Sequence, residues 1–130
     1  MSEAIAMVID DSMAMRMVLG DLLHNLGYPQ VLDAADGHEA LALLGASEVP
    51  LLALVDWNMP VMNGLEFIRA VRADTRYNAM RLMVITSETG LGQMTEALET
   101  GADEYLMKPF TQESLASKLD MLGLPVLVRS

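Results

Sequence analysis

LLALVD, residues 51–56, is an unbroken apolar run closed by a carboxylate, and Trp57, Asn58, Met59 and Pro60 follow at once. A run that is apolar at every position has no wet face. It reads as a strand covered on both sides, the condition of a parallel sheet lying between two layers of helices. The acid at its end is then a puzzle, because Asp56 stands at the mouth of a buried strand. A second run, IAMVIDD (5–11), poses the same puzzle with two carboxylates, Asp10 and Asp11.

Working outward, further short runs appear at QVLDA (30–34), RLMVIT (81–86) and EYLM (104–107). Helical patterns separate them. SMAMRMVLGDLLHNLG (12–27) places Met15, Val18, Leu19, Leu22 and Leu26 on one stripe, and Gly27 stops it. DGHEALALLGA (36–46) turns Ala40, Leu41 and Leu44 inward, and NGLEFIRAVRAD (63–74) does so with Leu65, Ile68 and Val71. GQMTEALETG (92–101) stops at Gly101, and TQESLASKLDMLG (111–123) opens on Thr111 with an approximate capping box, Glu113 displacing Ser114. Five strands alternating with five helices make an α/β fold, a parallel doubly wound sheet with right-handed crossovers. Residues 1–123 read as one domain, and the apolar tail LPVLVRS (124–130) carries no assignable role.

Composition narrows the function. Eighteen acids against eight bases give a net charge of −10, which repels phosphate backbones and argues against nucleic-acid binding. Cysteine is absent, so neither a disulfide scaffold nor a thiolate metal site is available, and a reducing, cytoplasmic setting is expected. The start has no basic region and only a short apolar run, so neither a signal peptide nor a membrane span is expected.

In open α/β sheets the site lies beyond the carboxyl ends of the strands. Those ends carry Asp10 and Asp11, Asp56, Thr86 and Ser87, and Lys108 and Pro109. Capping or turn chemistry would explain each alone, but not the coincidence of all four. Carboxylates about 5 Å apart repel by roughly 3 kcal/mol at an effective dielectric near 20, so a cation is expected among them. An oxygen-only donor set suits Mg²⁺. With Lys108 and the Thr86 hydroxyl alongside, the set is built to hold a phosphoryl group in transfer, and Asp56 is the natural acceptor.

These residues, with VDWNMPVMNG (55–64) and KPF (108–110), resemble the receiver domains of two-component response regulators, and within them the chemotaxis regulators. The resemblance spans nearly the whole chain and implies a flavodoxin-like strand order of 2-1-3-4-5. It implies that a histidine kinase phosphorylates Asp56. It also implies that Asp10, Asp11, Asp56 and the carbonyl of Asn58 bind Mg²⁺, Asp10 through water, and that Lys108 contacts the phosphoryl oxygens before a cis peptide to Pro109. Thr86 and Tyr105 are then the switch, while Asn58 and Glu88 tune hydrolysis. The output face comprises Thr89, Leu91, Met94, Leu98, Tyr105, Met107 and Lys118. A downstream protein is the target, with the flagellar motor switch as the candidate, although Gly90 and Leu91 stand where chemotaxis regulators often carry lysines. Such a chain is no enzyme beyond its own phosphorylation and dephosphorylation.

Three other readings compete. A stand-alone phosphorelay intermediate or phosphate sink would share the site. An aspartate-nucleophile phosphohydrolase would want a second acid where Asn58 stands. A flavodoxin-like carrier would want a phosphate loop where Asp10 and Asp11 stand. His24 and His38 fall on helix surfaces and are expected to ligate nothing. Met13 and Met17 form a candidate docking face for the kinase.

Overall fold

Five strands, β1 (Ile5–Ile9), β2 (Gln30–Ala34), β3 (Leu52–Asp56), β4 (Arg81–Thr86) and β5 (Glu104–Met107), pair in parallel in the order β2-β1-β3-β4-β5. Between and after them run α1 (Met13–Asn25), α2 (Gly37–Ala46), α3 (Gly64–Arg72), α4 (Leu91–Thr100) and α5 (Gln112–Met121), with a 3₁₀ turn at Thr75–Tyr77. This computed structural model describes residues 4–57, 62–87 and 91–124.

The apolar runs do what their composition requires. Along β1, Met7 and Ile9 face one core while Ala6 and Val8 face the other. Val55 and Leu54 of β3 and Val84 and Ile85 of β4 divide in the same way. One core lies under α2, α3 and α4, where Leu44, Phe67, Ile68 and Val71 close it. The other lies under α1 and α5, closed by Leu19, Leu23, Leu115 and Leu119. The edge strands depart from the expected double coverage, since Gln30 and Asp33 of β2 are exposed and β5 is mostly half-buried. Each edge strand has a sheet neighbour on one side only.

Two helix readings need correction. The inward stripe of α1 runs through Leu19, Leu23 and Leu26, whereas Val18 is 51% exposed. Leucines four and three apart keep one face on the sheet, and Val18 falls off its edge. In α5 the capping box is complete rather than displaced. Thr111 Oγ1 accepts from the Ser114 N–H at 3.0 Å, and Ser114 Oγ accepts from the Thr111 N–H at 2.8 Å. The serine hydroxyl at the third helical position does the work of the usual carboxylate.

Arg72 ties the end of α3 to its neighbours. Its guanidinium donates to the carbonyls of Gly101, Tyr77 and Met80 at 2.9 Å each and to Asp103 Oδ2 at 2.8 Å. Asp103 Oδ2 also accepts the Leu82 N–H at 2.8 Å. Gly101 has φ +137°, which side chains rarely adopt, and a Cβ there would stand 2.5 Å from Arg72 Cγ. The glycine that stops α4 therefore also makes room for the arginine. Among the described residues, no helix is long and apolar enough to cross a membrane.

Candidate functional site

The sequence β1-Asp10-Asp11 and β3-Asp56 brings three carboxylates to the point where the strand order reverses, because β1 and β3 are neighbours in the sheet. Their oxygens lie within 4.8 Å of one another. Asp10 and Asp56 are buried and Asp11 is exposed. Lys108, just past β5, sets its Nζ 3.6 Å from Asp56 Oδ1 and 3.9 Å from Asp10 Oδ2. The Lys108 N–H donates to the Thr86 carbonyl at 2.9 Å, which fastens the ends of β4 and β5 together. Thr86 is buried at its strand end, Ser87 beside it is exposed, and the Lys108–Pro109 peptide is cis as expected.

Gly64 fixes the other wall. A Cβ on it would lie 3.0 Å from the Asp56 carbonyl oxygen and 3.1 Å from Trp57 Cα, so any side chain there would press on the backbone where β3 ends and α3 begins. Asn63 caps α3, forming a capping box with Glu66. Ser12 caps α1 by accepting from the Met15 N–H, which removes capping as an explanation for Asp10 and Asp11.

Burial pushes the Asp10 carboxyl above the usual carboxylate range, against the hydrogen bond from the Ser12 N–H and the charge of Lys108, with Asp11 adding to the rise. Asp10 Oδ2 is buried and accepts no hydrogen bond. A buried acceptor without a donor costs about 1–3 kcal/mol. These are the traits of a carboxylate held ready for a cation, and the donor set fits a hard, oxygen-seeking divalent ion. Asp10→Asn is therefore expected to raise metal-free stability by on the order of 1 kcal/mol, read as an upward shift in Tm in chelator. Unchanged or lowered stability would remove the strain. Relief falls on Asp10 because water already screens the exposed Asp11. The pH dependence has the same sign. Asp10 binds its proton more readily when folded, so its contribution to metal-free stability grows as pH falls through its raised folded pKa, and is complete below the unfolded value of 3.8.

Asn58, Glu88 and Thr89 lie outside the described residues, as do 125–130 of the tail. Leu91 begins α4, and its side chain is likewise outside them. Of the rest of the expected output face, Met94 and Leu98 lie on α4, Tyr105 and Met107 on β5, and Lys118 on α5. Met94 and Met107 are half-buried and Leu98 is 42% exposed. Lys118 Nζ sits 4.5 Å from the centre of the Tyr105 ring and donates to Glu104 Oε1 at 3.1 Å. The Tyr105 N–H donates to the same oxygen at 3.0 Å. Glu104 was invisible in the sequence because its partner stands fourteen residues away on another element. His24 and His38 are exposed, and neither belongs to the carboxylate cluster; His24 Nδ1 lies 2.9 Å from the Tyr28 carbonyl oxygen.

Met13 and Met17 are 68% and 64% exposed on α1. A cleft of about 570 Å³ against the same helix is lined by Met15, Val18, Leu22, Pro109 and Phe110, together with Ser87, Lys108 and Gln112. Sequence reasoning also passed over Arg16. The available signal was an arginine one helical turn beyond the cap and five residues beyond Asp11.

The fold and this constellation define a doubly wound α/β domain with an acidic pocket at the reversal point of its sheet, and the chain belongs to the response regulator receiver domain family, whose sequence model matches residues 6–120. Among its relatives, a chemotaxis protein CheY homolog of Campylobacter jejuni is 42% identical over 118 residues, covering 90% of this chain and 91% of the relative. Chemotaxis protein CheY1 of Helicobacter pylori is 40% identical over 116 residues, covering 89% and 94%. The high-resolution structure of chemotaxis response regulator CheY4 of Vibrio cholerae superposes with a TM-score of 0.85 at 36% identity, covering 93% of this chain and 99% of that one.

Proposed function

We propose that this protein is a chemotaxis-type response regulator in which Asp56 takes a phosphoryl group from a histidine kinase in a Mg²⁺-dependent step. The observation that carries this reading is the trio of carboxylates within 4.8 Å, two of them facing one lysine, at the reversal point of the sheet. Asp10, Asp11 and Asp56 would hold the ion, which supplies charge neutralisation for the transferring group. An Asp56 oxygen attacks phosphorus, the bond from phosphorus to the donor nitrogen breaks, and its electron pair stays on the donor. Lys108 meets the charge on the phosphoryl oxygens, and Thr86 offers its hydroxyl from the end of β4. The reaction ends on the chain itself, so it is its own phosphorylation and dephosphorylation rather than turnover of a free substrate.

The donor approaches beside α1, where the apolar cleft opens next to Lys108. The signal leaves by protein contact on α4, β5 and α5, in the cytoplasm, with the flagellar motor switch as the candidate target. To test the reading, the protein is incubated with a labelled small acyl phosphate with and without Mg²⁺, and the modified residue is mapped. Label on Asp56 only when Mg²⁺ is present is the expected result. Label without the ion, or on another residue, overturns it.

A further inference from the structure

Asp10 is pinned at nearly every polar atom. Its N–H donates to the Ala34 carbonyl at 3.1 Å, and its Oδ1 accepts the Ser12 N–H at 2.8 Å. Its carbonyl oxygen accepts from Arg16 Nη1 at 2.6 Å. Only Oδ2 is left without a hydrogen-bond donor, buried, with Lys108 Nζ at 3.9 Å. The arginine is itself anchored, since its Nε donates to Asp33 Oδ2 at 3.0 Å across the gap between α1 and β2. Its side chain is 13% exposed, whereas that of Asp33 is 62% exposed.

A carboxylate forced against two others would lower its energy by swinging its backbone outward, provided the turn after β1 could yield. A guanidinium fork with one tine on the Asp10 carbonyl and another on β2 prevents that movement. Arg16 touches neither the carboxylate oxygens nor any reacting atom, so its influence passes through the backbone of Asp10.

We propose that Arg16 is a positioning residue for the cation site: by clamping the Asp10 carbonyl to Asp33 of β2, it holds the Asp10 carboxylate toward Asp11 and Asp56 before any ion arrives. This rests on the metal reading of the site given above. It adds a residue, a contact and a coupling of the edge strand β2 to ion affinity. Groups that orient metal ligands without touching the metal commonly change affinity by 10–100-fold when removed.

Trp57 is the only tryptophan and adjoins Asp56, so its fluorescence is the probe for titrating MgCl₂ into the intact protein. Arg16→Ala is expected to weaken Mg²⁺ binding about tenfold or more. Arg16→Lys keeps the charge but loses the fork, and is expected to recover only part of that loss. Asp33→Asn, which weakens the anchor alone, is expected to cost a few-fold. Leu44→Ala, beneath the opposite helical layer, lowers Tm without touching this turn and should leave the Mg²⁺ affinity unchanged. Amide exchange in metal-free protein gives an independent readout, since the Ser12 N–H should lose protection in Arg16→Ala. If Arg16→Ala does not fold, Arg16→Lys and Asp33→Asn carry the comparison. Wild-type affinity in Arg16→Ala or in Arg16→Lys overturns the clamp while leaving the metal reading intact. Absence of any saturable response in the wild-type protein overturns both.

Discussion

Asp56→Asn is expected to reduce phosphoryl uptake from a small acyl phosphate to background, a loss of at least about a thousandfold, because the amide oxygen is no longer a nucleophilic carboxylate. The readout is the fraction of intact protein gaining one phosphoryl group, measured by mass spectrometry with Mg²⁺ present. The variant should remain folded. Asp56 lies among two other carboxylates within 4.8 Å, so removing its charge relieves repulsion even as it loosens the pair with Lys108 at 3.6 Å. Metal-free Tm is therefore expected to hold or rise. That combination separates loss of chemistry from loss of structure. Residual uptake near the wild-type level would show that the acceptor lies elsewhere, and collapse of the fold would refute the view that the carboxylates strain one another.

Arg72→Ala is expected to be the most damaging substitution away from the site. It strips one donor group from three carbonyls and from Asp103, whose side chain is 26% exposed. Leaving such a carboxylate and several carbonyls without their cation costs about 3–5 kcal/mol. For a domain of this size that is a fall in Tm of roughly 10 °C or more. Equilibrium urea unfolding measures it directly. Arg72→Lys should recover little, because an ammonium group cannot reach four acceptors lying in different directions. A loss below about 1 kcal/mol, the range of an exposed pair, would mean that water already satisfies these groups.

The architecture was legible because each strand that matters is apolar throughout, and β1, β3 and β4 are indeed buried at every apolar position. The site was legible for a related reason. Charged residues at the ends of such runs have nowhere to go but the rim, and parallel strands share one rim. Val18 was misplaced because a stripe of five apolar residues fits more than one rotation of a helix, and only the neighbouring sheet chooses Leu23. The Thr111 box is complete because the short Ser114 hydroxyl reaches the same N–H that a longer carboxylate usually takes. Arg16 and Glu104 escaped notice because their meaning lies in partners far along the chain: Asp33 for Arg16, and Lys118 for Glu104. Residue types along one segment cannot reveal such pairings.

Under the output reading proposed above, the bond between Glu104 and Lys118 bears on how the α4–β5–α5 surface would choose company. A cation already satisfied by a neighbour on its own molecule, and resting on the Tyr105 ring, has little attraction left for an acidic visitor. Selection on that reading would pass to fit against the thioether and leucine side chains of Met94, Met107 and Leu98. An encounter governed by such contacts keeps only the salt dependence that the net charge of −10 imposes, whereas one steered by free lysines adds an attraction that fades as salt rises.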